Sequence, residues 1–150
     1  MSNLLNFDPA NRDAFATMVG TLVQRHGQSP RDIFIHALES QTEPEVNYWT
    51  ILELVQNHFV SPTEAVGEDA EGEPVKPLHA AVLMQNPGAL AALLELKAYE
   101  GSVTDRDYQL AARMASQHED QALLAILMKH AENQGALEPF MRALQNAPLH

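Results

Sequence analysis

The feature that most constrains this chain is a recurring start signal, a side chain able to accept a backbone hydrogen bond followed at once or nearly so by proline at the first helical position. Asp8-Pro9 opens a segment that sets Phe15, Met18, Val19, Leu22 and Val23 on one face and stops at Gly27. Ser29-Pro30 opens the next, through Ile33 to Leu38. Thr42-Glu43-Pro44-Glu45 has the spacing of a capping box and leads into Tyr48, Leu52, Val55 and Phe59, an apolar stripe at helical period that ends near Phe59. Chains punctuated in this way fold as short helices that must stack to bury their apolar faces.

Residues 60–76 interrupt the pattern. Ser61-Pro62, Gly67, Gly72 and Glu73-Pro74 punctuate a run rich in Glu64, Glu68, Asp69, Glu71 and Glu73, with no basic residue before Lys76. The expectation here is a loop with at most one turn of helix. Helices resume over 77–85, 87–98, 104–117, 119–133 and 139–145, and no useful period-two alternation predicts a sheet. The reading is all-α, a single helical repeat domain over 1–150. Degenerate helix pairs fill 9–59, the acidic loop 60–76, and further pairs with a C-terminal helix 77–146.

Four helix endings fall in register: Val23-Gln24-Arg25-His26, Val55-Gln56-Asn57-His58, Glu95-Leu96-Lys97 and Leu127-Met128-Lys129-His130. From His26 to His58, Lys97 and His130 the intervals are about 32, 39 and 33 residues, the range of stacked helical repeats, and the acidic loop accounts for the long one. Pro77-Leu78-His79-Ala80-Ala81, followed by Leu90, Leu93 and Leu94, resembles the ankyrin repeat. Leu110-Ala111-Ala112, followed by Leu123, Leu124, Ile126 and Leu127, is similar to a second, weaker copy. The match covers 77–131 and departs from the family at Lys76, which supplies no capping hydroxyl, and at Arg106-Asp107-Tyr108-Gln109, which replaces the turn. The resemblance implies an ankyrin-like solenoid of about four stacked helix-turn-helix pairs and a protein-binding role. Residues 9–59 fit generic helical hairpins equally well.

With 20 acidic against 9 basic residues the net charge is -11, so the surface field repels phosphate backbones and anionic lipid. Nucleic acid and membrane are not expected partners. The chain has no cysteine, which removes thiolate chemistry and fits a reducing compartment. No apolar run approaches a membrane span and residues 1–10 carry no leader pattern, so the expected location is the cytoplasm.

No catalytic, cofactor or metal site is expected. His26, His58 and His130 recur at helix C-termini, where imidazoles can meet free carbonyls, and His79 is expected to bond local backbone. The acidic loop lacks the ligand spacing of a calcium site. Adjacent Tyr48 and Trp49 point about 100° apart on a helix, which predicts that one of them is partly exposed. The expected function is non-enzymatic binding of another protein, with a basic surface the kind that this charge would attract. The candidate contacts are Trp49, Glu64, Glu68, Asp69, Glu71, Glu73, His79, Met84 and Gln109. Two alternatives stand beside it. One is a small helical enzyme or metal domain that gathers His36, His79 and His118. The other is a self-associating subunit using Phe140, Met141 and Leu144, so the expected state is a monomer or a weak homodimer.

Overall fold

Eight α-helices and one small hairpin make up the described residues of the computed structural model, which are 4–5, 7–40 and 43–146. The protein is mostly helical. A 3-10 turn at Pro9–Asn11 leads into α1 (Arg12–Gln24), then α2 (Pro30–Glu39) and α3 (Pro44–Gln56). Strands β1 (Gly67–Glu68) and β2 (Pro74–Val75) follow, then α4 (Pro77–Leu83), α5 (Pro87–Leu94), α6 (Arg106–Gln117), α7 (Gln121–Asn133) and α8 (Leu137–Asn146). Among the described residues no helix is long and apolar enough to cross a membrane.

The starts are capped much as the sequence indicates. Asp8 accepts from the Ala10 amide at 2.9 Å, Ser29 from Asp32 at 3.4 Å, Asn86 from Ala89 at 3.1 Å and Asp120 from Leu123 at 3.1 Å. Thr42 of the expected capping box lies outside the described residues, and α3 begins after Glu43 without a side-chain cap. Lys76 likewise supplies none to α4.

The ends of α3, α4, α6 and α7 share one device. The residue after the last turn adopts a left-handed conformation: His58 at φ 63°, Gln85 at 52°, Glu119 at 53° and Gly135 at 68°. The next amide then reaches back five residues, Phe59 to Leu54, Asn86 to Ala81, Asp120 to Ala115 and Ala136 to Ala131. This corrects one sequence reading, since His58 closes α3 through its backbone and not its ring.

Packing runs along two rows. Helices α2, α4, α6 and α8 contact one another in succession, as do α1, α3, α5 and α7, and α2/α3, α4/α5 and α6/α7 pair across the rows. Small residues set the spacing, since Ala81, Ala89, Ala91, Ala92, Ala111 and Ala115 are all fully buried. The tightest point is Gly88, where an added Cβ would lie 2.1 Å from the Pro44 carbonyl oxygen. Only a residue without a side chain lets α5 approach the start of α3 so closely.

Helix α3 overturns the expectation for Tyr48 and Trp49. Every residue from Asn47 to Leu54 is buried because α1, α2 and α5 surround the helix and Phe7 packs its ring edge-on to Tyr48 at 5.1 Å. Trp49 is 5% exposed, stacks edge-on to Tyr48 at 4.7 Å and donates from Nε1 to Glu45 at 3.1 Å. It is core, not a surface anchor.

His130 is also core. It is 2% exposed and stacks on Tyr108, whose hydroxyl donates to the Leu127 carbonyl at 2.7 Å, so the expected ring-to-carbonyl cap is replaced by a buried aromatic pair. Phe140 packs edge-on to Tyr108 from α8 and is buried, which covers the centre of the face considered for self-association.

Candidate interaction surface

Part of the acidic segment is an ordered hairpin, while residues 60–66 carry no helix or strand. Val66 donates to Val75 at 2.8 Å and Asp69 to Glu73 at 2.9 Å, forming an antiparallel hairpin with Gly67 opposite Val75 and Glu68 opposite Pro74. Asp69 builds its tip. One carboxylate oxygen accepts from the amides of Glu71 and Glu73, each at 2.9 Å, and Gly72 completes the turn at φ 80°. Alternation over two residues is too short to read as a strand, and turn chemistry carries the fold instead. Val66 and Val75 pack against the core, and Arg31 donates to the Val66 carbonyl at 3.4 Å, so the hairpin is fixed at its base.

Beside the hairpin lies a groove of about 200 Å³ between α2 and α4. Ile35, Leu38, Ala80 and Met84 line it from the helices, Val66 and Val75 from the hairpin, and Glu39 and Glu68 bring carboxylates to it. Leu83 also lines it and is 47% exposed, a large apolar side chain held in water on a well-packed helix. The groove is therefore apolar within and acidic at its margin, with Glu71 and Glu73 exposed on the tip beyond.

Of the residues singled out in the sequence, Met84 and Glu68 meet in this groove. Asp69, Glu71 and Glu73 stand on the hairpin beside it. Glu64 lines a different and larger cleft with Arg31, Phe34, His58 and Phe59. His79 is engaged: its Nε2 lies 3.1 Å from the Asp107 carbonyl oxygen, which can only accept, so Nε2 carries the hydrogen and ties α4 to α6. Lys76 reinforces that tie at 2.6 Å from Asp107, and this hydrogen-bonded ammonium holds the Asp107 carboxyl below the usual range against the opposing effect of burial. The expected local bond of His79 is thus a bond between helix pairs. Gln109 is half-buried one helix further on and donates to Thr104 at 3.4 Å.

Sequence reasoning missed Leu83, Ile35 and Glu39. The signal for Leu83 was present, because Ala80-Ala81-Val82-Leu83-Met84 is an apolar run longer than one helix face can bury. Among the described residues no three of His, Asp and Glu are grouped to hold a metal ion, and His36 on α2 and His118 just after α6 are exposed.

Comparison with protein-family models, with curated proteins and with solved structures finds no match, so the reading of this surface rests on the chain's own residues.

Proposed function

We propose that this chain is a non-enzymatic protein-interaction module. In this reading it is an ankyrin-like solenoid of about four stacked helix pairs, and it binds another protein through the exposed side of its inner helices together with the acidic hairpin. Two features support the architecture: the inner row α2, α4, α6, α8 packs against an outer row, and the hairpin directly precedes the Pro77-Leu78-His79 helix start. The observation that carries the function is the groove between α2 and α4, where Leu83 and its apolar neighbours stay open to solvent beside Glu39, Glu68 and the hairpin tip. A stable fold retains such a patch at little benefit to itself, whereas a partner that covers it gains apolar burial. The net charge of -11 adds long-range attraction for a basic partner and repels nucleic acid. The absence of cysteine fits action in the cytoplasm.

The test is capture from a cell extract on immobilised wild type, Leu83→Asp, and a hairpin carrying Glu68→Gln, Glu71→Gln and Glu73→Gln. Asp69 is left in place because it folds the tip. A protein retained by the wild type and lost from both variants, each with an unchanged melting temperature, supports the reading. Equal retention by all three would remove the groove and hairpin from the function.

A further inference from the structure

The cleft lined by Arg31 and Glu64 encloses about 600 Å³, within the size range of sites for small organic ligands, and shares only Val66 with the groove between α2 and α4. Arg31 and Phe34 bring α2 to it, Val55 brings α3, and the connection from His58 to Val66 supplies the remaining wall. That connection is pinned although it has little regular structure. The Tyr99 hydroxyl donates to the Pro62 carbonyl at 2.8 Å, the Thr63 amide to the Ser61 hydroxyl at 3.3 Å and Arg31 to the Val66 carbonyl at 3.4 Å. The walls therefore stand in place before any ligand arrives, which lowers the ordering cost of binding.

The lining is apolar with one open cation. Phe34, almost wholly buried, and Phe59, 42% exposed, give the cleft two aromatic rings. Arg12, Lys76 and Arg142 are each taken up by a carboxylate, whereas Arg31 joins no ion pair among the described residues. Its hydrogen bond to Val66 is long, so most of the five guanidinium donors are open. His58 adds an exposed imidazole. Glycine serves the same left-handed turn after α7 at Gly135 without strain, so histidine at this position gives the cleft a polar ring at a cost to the backbone. Glu64 is exposed on the same cleft and is not paired with Arg31.

We propose that this cleft binds a small monocarboxylic acid with an aromatic or branched apolar body, its carboxylate on Arg31 and His58 and its body against Phe34 and Phe59. A guanidinium fork meets a carboxylate with two parallel hydrogen bonds, and the rings supply apolar area for the rest of the molecule. One negative charge is all that the site balances. Glu64 and the net charge of -11 oppose a second, which disfavours nucleotides and other polyanions. The site is independent of the protein-binding groove, so either can fail without the other.

The experiment is an NMR titration of the full chain, read at the amides of His58 and Phe59, with four probes: phenylpropionate, its neutral amide, phenylpropylamine and an acetylated tripeptide ending in phenylalanine. Phenylpropionate is expected to bind at least ~10-fold more tightly than the amide or the amine. Arg31→Gln should abolish that preference, and Phe59→Ala should weaken acid and amide by a similar factor. Glu64→Gln should tighten the acid about 2-fold by removing a repulsion, and this exposed substitution carries the test should Arg31→Gln loosen the hairpin base. Acid bound no more tightly than amide, a preference for the amine, or a preference for the acid that survives Arg31→Gln overturns the proposal. Binding of the tripeptide without phenylpropionate overturns it in favour of a protein chain end, and acid affinity unchanged in Glu64→Gln removes the charge argument with it.

Discussion

Asn86 shows how much one residue can hold. Its amide nitrogen donates to the carbonyls of Ala37, Leu38 and Ser40 at 2.8, 2.9 and 2.7 Å, and its oxygen accepts from Ala89 at 3.1 Å, so a single buried side chain ends α2 and starts α5. The corresponding residue one helix pair later, Asp120, only caps α7 and needs no donor. Asn86→Asp keeps the cap and places a charge against three carbonyl oxygens. It is expected to cost ~3 kcal/mol or more in denaturant unfolding, while Asp120→Asn stays within ~0.5 kcal/mol. His130 supplies a pH dependence. Because the Tyr108 hydroxyl donates to Leu127, its oxygen accepts from Nδ1 of His130 at 3.1 Å, leaving Nε2 bare and buried. Burial pushes this imidazole down to about 4 from 6.5, with the Leu94 carbonyl opposing. The native state therefore binds fewer protons than the unfolded chain between those values, and its stability is full above pH 6.5 and lost as pH falls toward 4. His130→Phe keeps the stacking and removes the titration. Relative to wild type its unfolding free energy should rise by about 1–2 kcal/mol between pH 7 and pH 5.

At the scale of elements, helix ends and close contacts decide the design. Gln85 and Glu119 occupy left-handed positions that cost a residue with a Cβ roughly 1 kcal/mol, and Gly135 fills the equivalent place at the end of α7 without that cost. Gln85→Gly and Glu119→Gly are each expected to stabilise by about 0.5–1 kcal/mol, read from the thermal midpoint. Ala81 and Ala111 are fully buried in the inner row, so Ala81→Leu or Ala111→Leu should destabilise by ~1–3 kcal/mol in the same assay. Most of the helices were legible because proline, a side-chain acceptor or both stand at their starts and apolar residues recur at helical period. Three things were not. The hairpin rests on Asp69 bonding its own backbone over a few residues, which leaves no alternation to read. The left-handed ends at His58, Gln85 and Glu119 lack glycine, so the signal for a helix stop was missing. Complete burial of α3 defeats any argument from faces, since a helix wrapped by three others has no outside for Trp49 to occupy.

For the whole molecule, charge and shape act together. The acidic excess was readable from composition, and two of the nine contacts expected from sequence, Glu68 and Met84, line one groove with Leu83. The others lie elsewhere because which inner-helix residues stay exposed is set by contacts between pairs rather than by spacing along the chain. The same geometry makes the account testable without knowing the partner in advance. Leu83 is 47% exposed, so Leu83→Asp leaves the core untouched and is expected to change the melting temperature by less than about 2 °C. The deciding measurement is a calorimetric titration of the captured partner into wild type and Leu83→Asp at about 50 and 300 mM salt. Affinity should fall at least ~10-fold for Leu83→Asp at both salt concentrations, and for the wild type it should weaken as salt screens the hairpin and groove carboxylates. Equal affinity of the two proteins, with no dependence on salt, would contradict the claim that this groove and its acidic margin are the binding surface.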